Sequence, residues 1–203
     1  MIRLSRLYAV ADATFGDPVE IARELFEGGV RLVQVRHKSA SAKTLLDETE
    51  AILRLMPLDA QLVVNDRVDV ARIAGAAGVH LGQKDLAPSL AREILADGQA
   101  IGFSTHNVQQ AIEADSEPVD YIAVGPVFST STKEDADPVL GLERLTEICS
   151  QVRKPVVAIG GITLESARDV LNCGAASVAV IGDLLRHGNV KVRTREWVRQ
   201  VES

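Results

Sequence analysis

The sequence predicts a single (β/α)8 TIM barrel over residues 1–203, and three observations support it. Eight short apolar runs alternate with eight helical patterns along the chain. The runs are apolar throughout, as expected for parallel strands that are covered on both faces. The composition shows no break, and 203 residues suit one core better than two. An open flavodoxin-like or Rossmann sheet is less favoured, because it usually has fewer units and the first βα turn lacks G-x-G-x-x-G.

Each predicted strand is followed by helix start or stop signals. Gly28 and Gly29 end the first helix, Ser41 is the expected N-cap of the second, and Pro88 opens the fourth. The predicted strands are 4–11, 31–36, 61–65, 78–82, 100–104, 121–125, 155–160 and 177–182. The predicted helices are 18–27, 41–55, 68–74, one from 88, 108–114, 142–151, 164–172 and final turns ending near 197–201.

The composition argues against several classes of function. The net charge of -6 and an aromatic content of 3% are not typical of a nucleic-acid-binding surface. No apolar run reaches the roughly 18–20 residues of a membrane span, and no signal peptide is evident. Cys149 and Cys173 lack metal-ligand spacing, and we expect them to be buried thiols. We expect a soluble, cytoplasmic protein that binds neither nucleic acid nor membranes; the sequence leaves a homo-oligomer open.

Two carboxylates follow neighbouring predicted strands. Asp66 follows the third strand and Asp85 the fourth, so parallel pairing brings both to one rim of the barrel. Two carboxylates without a histidine or thiolate partner suit a hard cation that keeps water, namely Mg2+. The alternative is structural: Asp66 caps the helix that starts near Val68, and Asp85 caps the next one.

Positive groups gather beside these carboxylates. Gln34, Arg36 and Lys38 alternate at the end of the second strand, which puts three donors on one side of it. Arginine offers a planar fork for phosphate oxygens and lysine a compact charge. Lys133 comes from the long polar loop between Gly125 and Gly141, a candidate lid. Cations around a Mg2+ site predict a diphosphate ligand; Asn65 and Ser104 add neutral donors for a polar ring.

A second phosphate site is predicted at the ends of strands seven and eight. In (β/α)8 barrels these loops often bind phosphate through backbone N–H groups, and glycine permits the close approach. Gly160-Gly161 and Ile181-Gly182 stand at these two positions. Thr130 and Thr132 add hydroxyls from the long loop.

The histidines are weaker indicators of function than the charged residues at the strand ends. His80 lies inside a strand and is expected in the barrel interior, whereas His37 should face away from Arg36 and Lys38. His106 is on the rim, but no nucleophilic serine or cysteine pairs with it in the sequence. A hydrolytic triad is therefore not supported.

Taken in order, four segments resemble the thiamine-phosphate synthase (thiamine-phosphate pyrophosphorylase) family. They are QVRHK at 34–38, NDR at 65–67, GVHLGQKD at 78–85 and GPVFSTSTK at 125–133. The resemblance covers nearly the whole chain. It implies an enzyme of thiamine biosynthesis that joins a pyrimidine methyl diphosphate to a thiazole phosphate, releasing pyrophosphate.

The resemblance also implies roles for particular residues. Asp66 and Asp85 would hold Mg2+. Arg36, Lys38, Ser104 and Lys133 would be catalytic, acting with Gln34 and Asn65 on the pyrimidine diphosphate. The thiazole phosphate would be bound by Thr130, Thr132, Gly161, Ile181 and Gly182.

Two departures and two alternatives accompany this resemblance. Gly182 stands where the family pattern has serine, so we expect weakened thiazole-phosphate affinity at most. Strand one ends in Ala11-Asp12 where the family commonly has Thr-Asp, a difference at Ala11 to which we attach little. A thiazole tautomerase on a similar barrel would have histidine at Pro126 and lack the diphosphate-binding set. A non-catalytic paralogue that binds a phosphorylated ligand is the other alternative.

Overall fold

In a computed structural model, which describes residues 2–130, 138–186 and 188–201, eight parallel strands close into a barrel in chain order. The first strand pairs with both the second and the eighth, which closes the ring. The strands are β1 (Leu7–Asp12), β2 (Leu32–Arg36), β3 (Gln61–Asn65), β4 (Gly78–Leu81), β5 (Ala100–Thr105), β6 (Tyr121–Val124), β7 (Val156–Ile159) and β8 (Ser177–Val180). The predicted fold class is confirmed.

Helices follow the strands around the outside of the barrel. Ser41 caps the second helix as predicted, since its side chain accepts a hydrogen bond from the Thr44 N–H. The helices are α1 (Pro18–Glu27), α2 (Ala42–Leu55), α3 (Val68–Ala74), α4 (Pro88–Ile94), α5 (Val108–Ser116), α6 (Gly141–Gln151), α7 (Ala167–Asn172), α8 (Gly182–Leu185) and α9 (Val190–Val201). Within the described ranges, none of these helices is long and apolar enough to cross a membrane.

A few boundaries differ from the prediction. β1 begins at Leu7 rather than at residue 4, and a 3-10 turn (Ala13–Phe15) follows it. α7 begins at Ala167 because Thr163 and Ser166 form a hydrogen-bonded turn before it. The sequence did not predict α8, because one helical turn is too short to show a periodicity. Cys149 and Cys173 are free and only partly buried, not fully buried as expected.

Alternation along the strands divides the core into two parts. Leu7, Ala9 and Ala11 of β1 belong to the cluster shared with the helices. Tyr8 belongs to a smaller cluster in the barrel interior, with members from several strands: Leu32, Val63, Tyr121, Ala123, Val157 and Ala179. Because the strand period is two, Gln34 and Arg36 continue upward from Leu32 on the interior side. The strands thereby deliver polar side chains to the rim.

Candidate active site

A cavity of about 820 Å³ opens at the carboxyl ends of the strands. This volume is in the range of small-molecule sites. The cavity is lined by these sequence-predicted residues: Gln34, Arg36, Lys38, Asn65, Asp66, Asp85, Ser104, Thr130, Gly161, Ile181 and Gly182. Thr132 and Lys133, with much of the candidate lid, lie outside the described residues.

Asp66 and Asp85 are neighbours in the cavity. Asp66 has a left-handed backbone with φ of 62°, which aspartate tolerates better than most side chains, and its N–H donates to the His80 carbonyl at 2.8 Å. Asp85 accepts a hydrogen bond from the Gly82 N–H at 2.7 Å. Burial, and in addition the nearby Asp66 carboxylate, raises the pKa of Asp85, opposed by that hydrogen bond from Gly82. Two carboxylates that share a site in this way favour a cation between or beside them.

The helix-capping alternative for these two residues is wrong. The N-cap of α3 is Arg67 and that of α4 is Ala87, and neither helix has a side-chain cap hydrogen bond. Asp85 instead closes its own turn, in which its N–H donates to the Gly82 carbonyl at 3.1 Å. Both carboxylates are thus left facing the cavity, where Asp66 is ion-paired with Lys38.

Arg36 is held by Asp12, for which the sequence predicted no role. The Arg36 guanidinium donates to Asp12 at 2.5 Å, and the second Asp12 oxygen accepts from the Thr14 N–H and hydroxyl at 3.0 and 2.8 Å. Asp12 is almost completely buried and the Arg36 side chain is 14% exposed. Asp12 and Arg36 are register partners in β1 and β2. That register was the missing signal, because a sequence does not show how neighbouring parallel strands are aligned.

The histidines have distinct environments. His37 turns away from the cavity, as predicted, and its Nδ1 lies 2.9 Å from Glu48. His80 is buried in the barrel interior, also as predicted, between Tyr121 and Ser104. His106 lines the cavity, and its Nδ1 donates to the Gly125 carbonyl at 2.7 Å.

Glycines shape the opposite side of the cavity, where strands seven and eight end. Gly160 and Gly161 both have left-handed φ values, 100° and 64°. A side chain at Gly161 would collide with the Ser129 carbonyl, so glycine is needed for the loops after β6 and β7 to meet. The Phe128 N–H donates to the Gly160 carbonyl at 2.9 Å and joins these loops. Thr130 is thereby placed at the cavity, as predicted.

Arg186 brings a positive charge to this side of the cavity, and the sequence did not reveal it. Its guanidinium lies over the Phe15 ring, 5.6 Å from the centroid, and the residue lines the cavity. A Cβ added to Gly182 would be 3.5 Å from the Arg186 Cζ, so the guanidinium lies against the glycine. Since α8 was not predicted, nothing in the sequence indicated that a residue one turn later would face the cavity.

The fold and the cavity together define a class of protein: a (β/α)8-barrel enzyme with a charged rim suited to phosphorylated small molecules. The family model described as thiamine monophosphate synthase matches residues 7–184. The chain belongs to the thiamine monophosphate synthase family.

Individual relatives agree with this assignment. The thiamine-phosphate synthase of Koribacter versatilis is 46% identical over 191 residues, covering 91% of this chain and 90% of that protein. That of Chlorobium phaeovibrioides is 41% identical over 186 residues, covering 91% and 89%. A solved thiamine phosphate pyrophosphorylase from Pyrococcus furiosus superimposes with a TM-score of 0.89 at 37% identity, covering 97% of this chain and 95% of that one. The resemblance seen in the sequence is confirmed.

Proposed function

We propose that this enzyme condenses 4-amino-2-methyl-5-(diphosphooxymethyl)pyrimidine with 4-methyl-5-(2-phosphooxyethyl)thiazole, giving thiamine phosphate and pyrophosphate. The observation that carries the proposal is the division of one cavity into two unlike sides. The ends of β2 to β4 bring the cations Arg36, Lys38 and Lys84 and the carboxylates of Asp66 and Asp85, which suit a diphosphate with a metal. The ends of β7 and β8 bear glycines and Arg186, which suit a single phosphate.

The pyrimidine diphosphate belongs on the first side. Arg36 and Lys38 face its phosphates, and Lys133 from the long loop would add a further positive charge. Gln34 and Asn65 are buried and Ser104 is partly buried, and all three line the cavity, where they would orient the ring. This arrangement separates charge binding at the rim from ring recognition in the barrel mouth.

Asp66 and Asp85 fit a magnesium ion. Their donor atoms are oxygens, they share one site, and neither is used as a helix cap. The described part of the chain contains no cluster of three or more His, Cys, Asp or Glu suited to a metal. An ion that keeps several waters and binds substrate phosphate needs no more than two carboxylates. When bound, Mg2+ would neutralise charge on the diphosphate.

The reaction requires positioning and charge stabilisation more than acid–base chemistry. The bond between the pyrimidine methylene carbon and the diphosphate oxygen breaks, and its electron pair leaves with pyrophosphate. The amino-substituted ring stabilises the resulting cation, and the thiazole nitrogen donates its lone pair to the methylene carbon. No proton moves in either step. Arg36, Lys38 and Lys133 stabilise the departing charge, and the cavity holds the two rings in contact.

The thiazole phosphate belongs on the second side, with Thr130, Gly161, Ile181 and Gly182. Thr132, which lies outside the described residues, would add a second hydroxyl. Arg186 offsets the serine hydroxyl that Gly182 lacks, because the guanidinium lies where that side chain would point. We therefore no longer expect Gly182 to weaken the affinity for the thiazole phosphate. Gly182 and Arg186 together make a phosphate site whose charge comes from a guanidinium.

Arg186→Ala is expected to raise the KM for the thiazole phosphate roughly 10- to 100-fold, since a hydrogen bond to a charged group contributes about 1.5–3 kcal/mol. The KM for the pyrimidine diphosphate should not change. The unphosphorylated thiazole alcohol should react equally well with both proteins. Arg168→Ala, which removes an exposed arginine from α7, is the matched control. An equal loss with the alcohol would contradict the assignment.

The whole reaction is tested by mixing both substrates with Mg2+ and measuring pyrophosphate and thiamine phosphate. We expect equimolar products, their loss in EDTA, and recovery when Mg2+ is restored. Binding of both substrates without product would favour the non-catalytic alternative. Isomerisation of a thiazole without pyrophosphate release would favour the tautomerase. The cytoplasmic location and a homo-oligomeric state stay predictions.

A further inference from the structure

A chain of hydrogen bonds crosses the barrel interior beneath the cavity. The Gln34 Nε2 donates to the Tyr8 hydroxyl at 2.9 Å, and the Tyr8 and Tyr121 hydroxyls are 3.1 Å apart. The Tyr121 hydroxyl lies 3.0 Å from His80 Nδ1, and His80 Nε2 lies 2.9 Å from the Ser104 hydroxyl. The two ends of the chain, Gln34 and Ser104, both line the cavity.

The contacts give this chain a direction. The Gln34 amide already donates to the Tyr8 oxygen, so the Tyr8 proton needs an acceptor of its own. Within the described residues, the other hydrogen-bond partner of that hydroxyl is Tyr121. The Tyr121 hydroxyl then donates its hydrogen bond to His80 Nδ1, which must carry no proton in order to accept it. The ring proton of His80 is therefore on Nε2 and is donated to the Ser104 oxygen.

The opposite assignment leaves a buried proton without a partner. If Tyr121 donated to Tyr8, the Tyr8 oxygen would accept twice and its own proton would have no acceptor in the described structure. Both tyrosines are almost completely buried, and a buried donor without a partner is costly. Burial also raises the pKa of Tyr8 and of Tyr121, so both hydroxyls keep their protons.

Packing holds the members of the chain in place. The His80 and Tyr121 rings are stacked at 5.7 Å, and the Tyr8 ring meets Tyr121 edge-on at 6.1 Å. Gly102 makes room for this arrangement, because any side chain there would collide with the Tyr121 ring. The direction of the hydrogen bonds is thus built into a rigid part of the barrel.

We propose that Tyr8, Tyr121 and His80 are positioning residues that make Ser104 a hydrogen-bond donor and leave the Gln34 carbonyl oxygen as an acceptor toward the cavity. This pattern matches an aromatic ring that carries an amino donor and a ring-nitrogen acceptor, and it disfavours the 4-oxo analogue, which presents the reverse at those positions. The proposal rests on the proposed function for the identity of the ring. The direction of the hydrogen-bond chain follows from the contacts alone and does not depend on the proposed function.

The tautomer of His80 tests that direction without any substrate. The protein labelled with 15N-histidine contains only four histidines, and comparison with His80→Gln identifies the signal of His80. We expect a neutral ring with Nδ1 in the unprotonated and Nε2 in the protonated range of chemical shift. The Nδ1–H tautomer would overturn the proposal. It corresponds to the reverse order of donors, in which His80 donates to Tyr121, Tyr121 to Tyr8, and Tyr8 to the carbonyl oxygen of a flipped Gln34 amide.

Tyr121→Phe tests the effect on recognition, since it keeps the ring and removes the hydroxyl. We expect the KM for the pyrimidine diphosphate to rise about five- to tenfold, from the loss of one neutral hydrogen bond, with the KM for the thiazole phosphate unchanged. The preference for the amino over the 4-oxo pyrimidine should fall by a similar factor. Tyr8→Phe is the matched variant and should act more weakly, because Tyr121 can still donate to His80. An unchanged preference, or an equal rise in both KM values, would overturn the positioning role.

Discussion

Asp66→Asn is expected to lower turnover by at least about 100-fold, because metal-assisted charge stabilisation of several kcal/mol corresponds to more than two decades of rate. The fold should survive the change. Asparagine, like aspartate, tolerates the left-handed backbone that residue 66 adopts. The substitution relieves the repulsion between two neighbouring carboxylates but also removes the ion pair with the half-exposed Lys38, so the stability of the metal-free protein should change little. Steady-state kinetics with varied Mg2+ and thermal unfolding in EDTA measure the two effects.

The matched control for this substitution is Asp69→Asn. Asp69 lies three residues later in the exposed first turn of α3, where it pairs with Arg67. Its removal should leave both turnover and the Mg2+ requirement unchanged. Thermal stabilisation by Mg2+ should fall sharply in Asp66→Asn and stay at the wild-type level in Asp69→Asn. If Asp66→Asn kept the wild-type response to Mg2+, the two carboxylates would not be the metal ligands.

The pH dependence of Mg2+ affinity has a definite sign. Burial and the Asp66 carboxylate raise the pKa of Asp85, and a ligand to Mg2+ must be ionised. Affinity should therefore rise as the pH increases through this pKa. In Asp66→Asn the like-charge contribution is absent, so the midpoint of the residual dependence should move to lower pH.

The barrel was accessible from the sequence because its pattern is local. Strands such as Val63–Val64 are apolar on both faces, and their ends carry the polar residues that the period of two assigns to the rim. Asp66 and Asp85 could be placed together for the same reason, since parallel neighbours share an edge. The choice between metal ligand and helix cap was open, and it depended on whether Arg67 or Asp66 began α3.

The residues that the sequence did not reveal depend on long-range alignment. Asp12 faces Arg36 through the register of β1 and β2, and the two lie 24 positions apart. Tyr8 and Tyr121 read as ordinary core aromatics and meet across the barrel, 113 positions apart. Arg186 reaches the cavity only because a single helical turn follows β8. The sequence pattern alone does not distinguish a tyrosine that only packs in the core from one that positions a site residue. Nor does it distinguish an arginine on the surface from one that lines the cavity.

Arg36 and Lys38, on the side of the cavity proposed for the diphosphate, are both held by acidic residues of the barrel. Lys38 is balanced by Asp66 and Arg36 by Asp12, so each cation has an acidic partner before a ligand binds. The partners differ in kind. Asp66 is at the cavity and available to a metal, whereas Asp12 is almost completely buried and bound also by Thr14. Binding of a metal diphosphate can release Lys38 from Asp66, but Arg36 stays anchored.

Asp12→Asn is accordingly expected to lower both stability and turnover. Breaking a buried ion pair by removing one partner costs about 3–5 kcal/mol, and we expect about 3 kcal/mol here because Arg36 is partly exposed at the cavity. Arg36 loses its anchor, and a misplacement of about 1 Å in a positioning group can cost about 100-fold in rate. Urea unfolding and steady-state kinetics measure the two losses.

The double variant Asp12→Asn with Arg36→Gln separates these two effects. It removes both charges of the pair, so most of the lost stability should return. Turnover should stay low, because the guanidinium that we propose to bind the diphosphate is gone. Glu20→Gln, which removes an exposed acid paired with Arg23 on α1, is the control and should change neither quantity. Wild-type turnover in Asp12→Asn would show that Arg36 holds its position without Asp12. Recovery of turnover in the double variant would show that Arg36 does not act on the substrate at all.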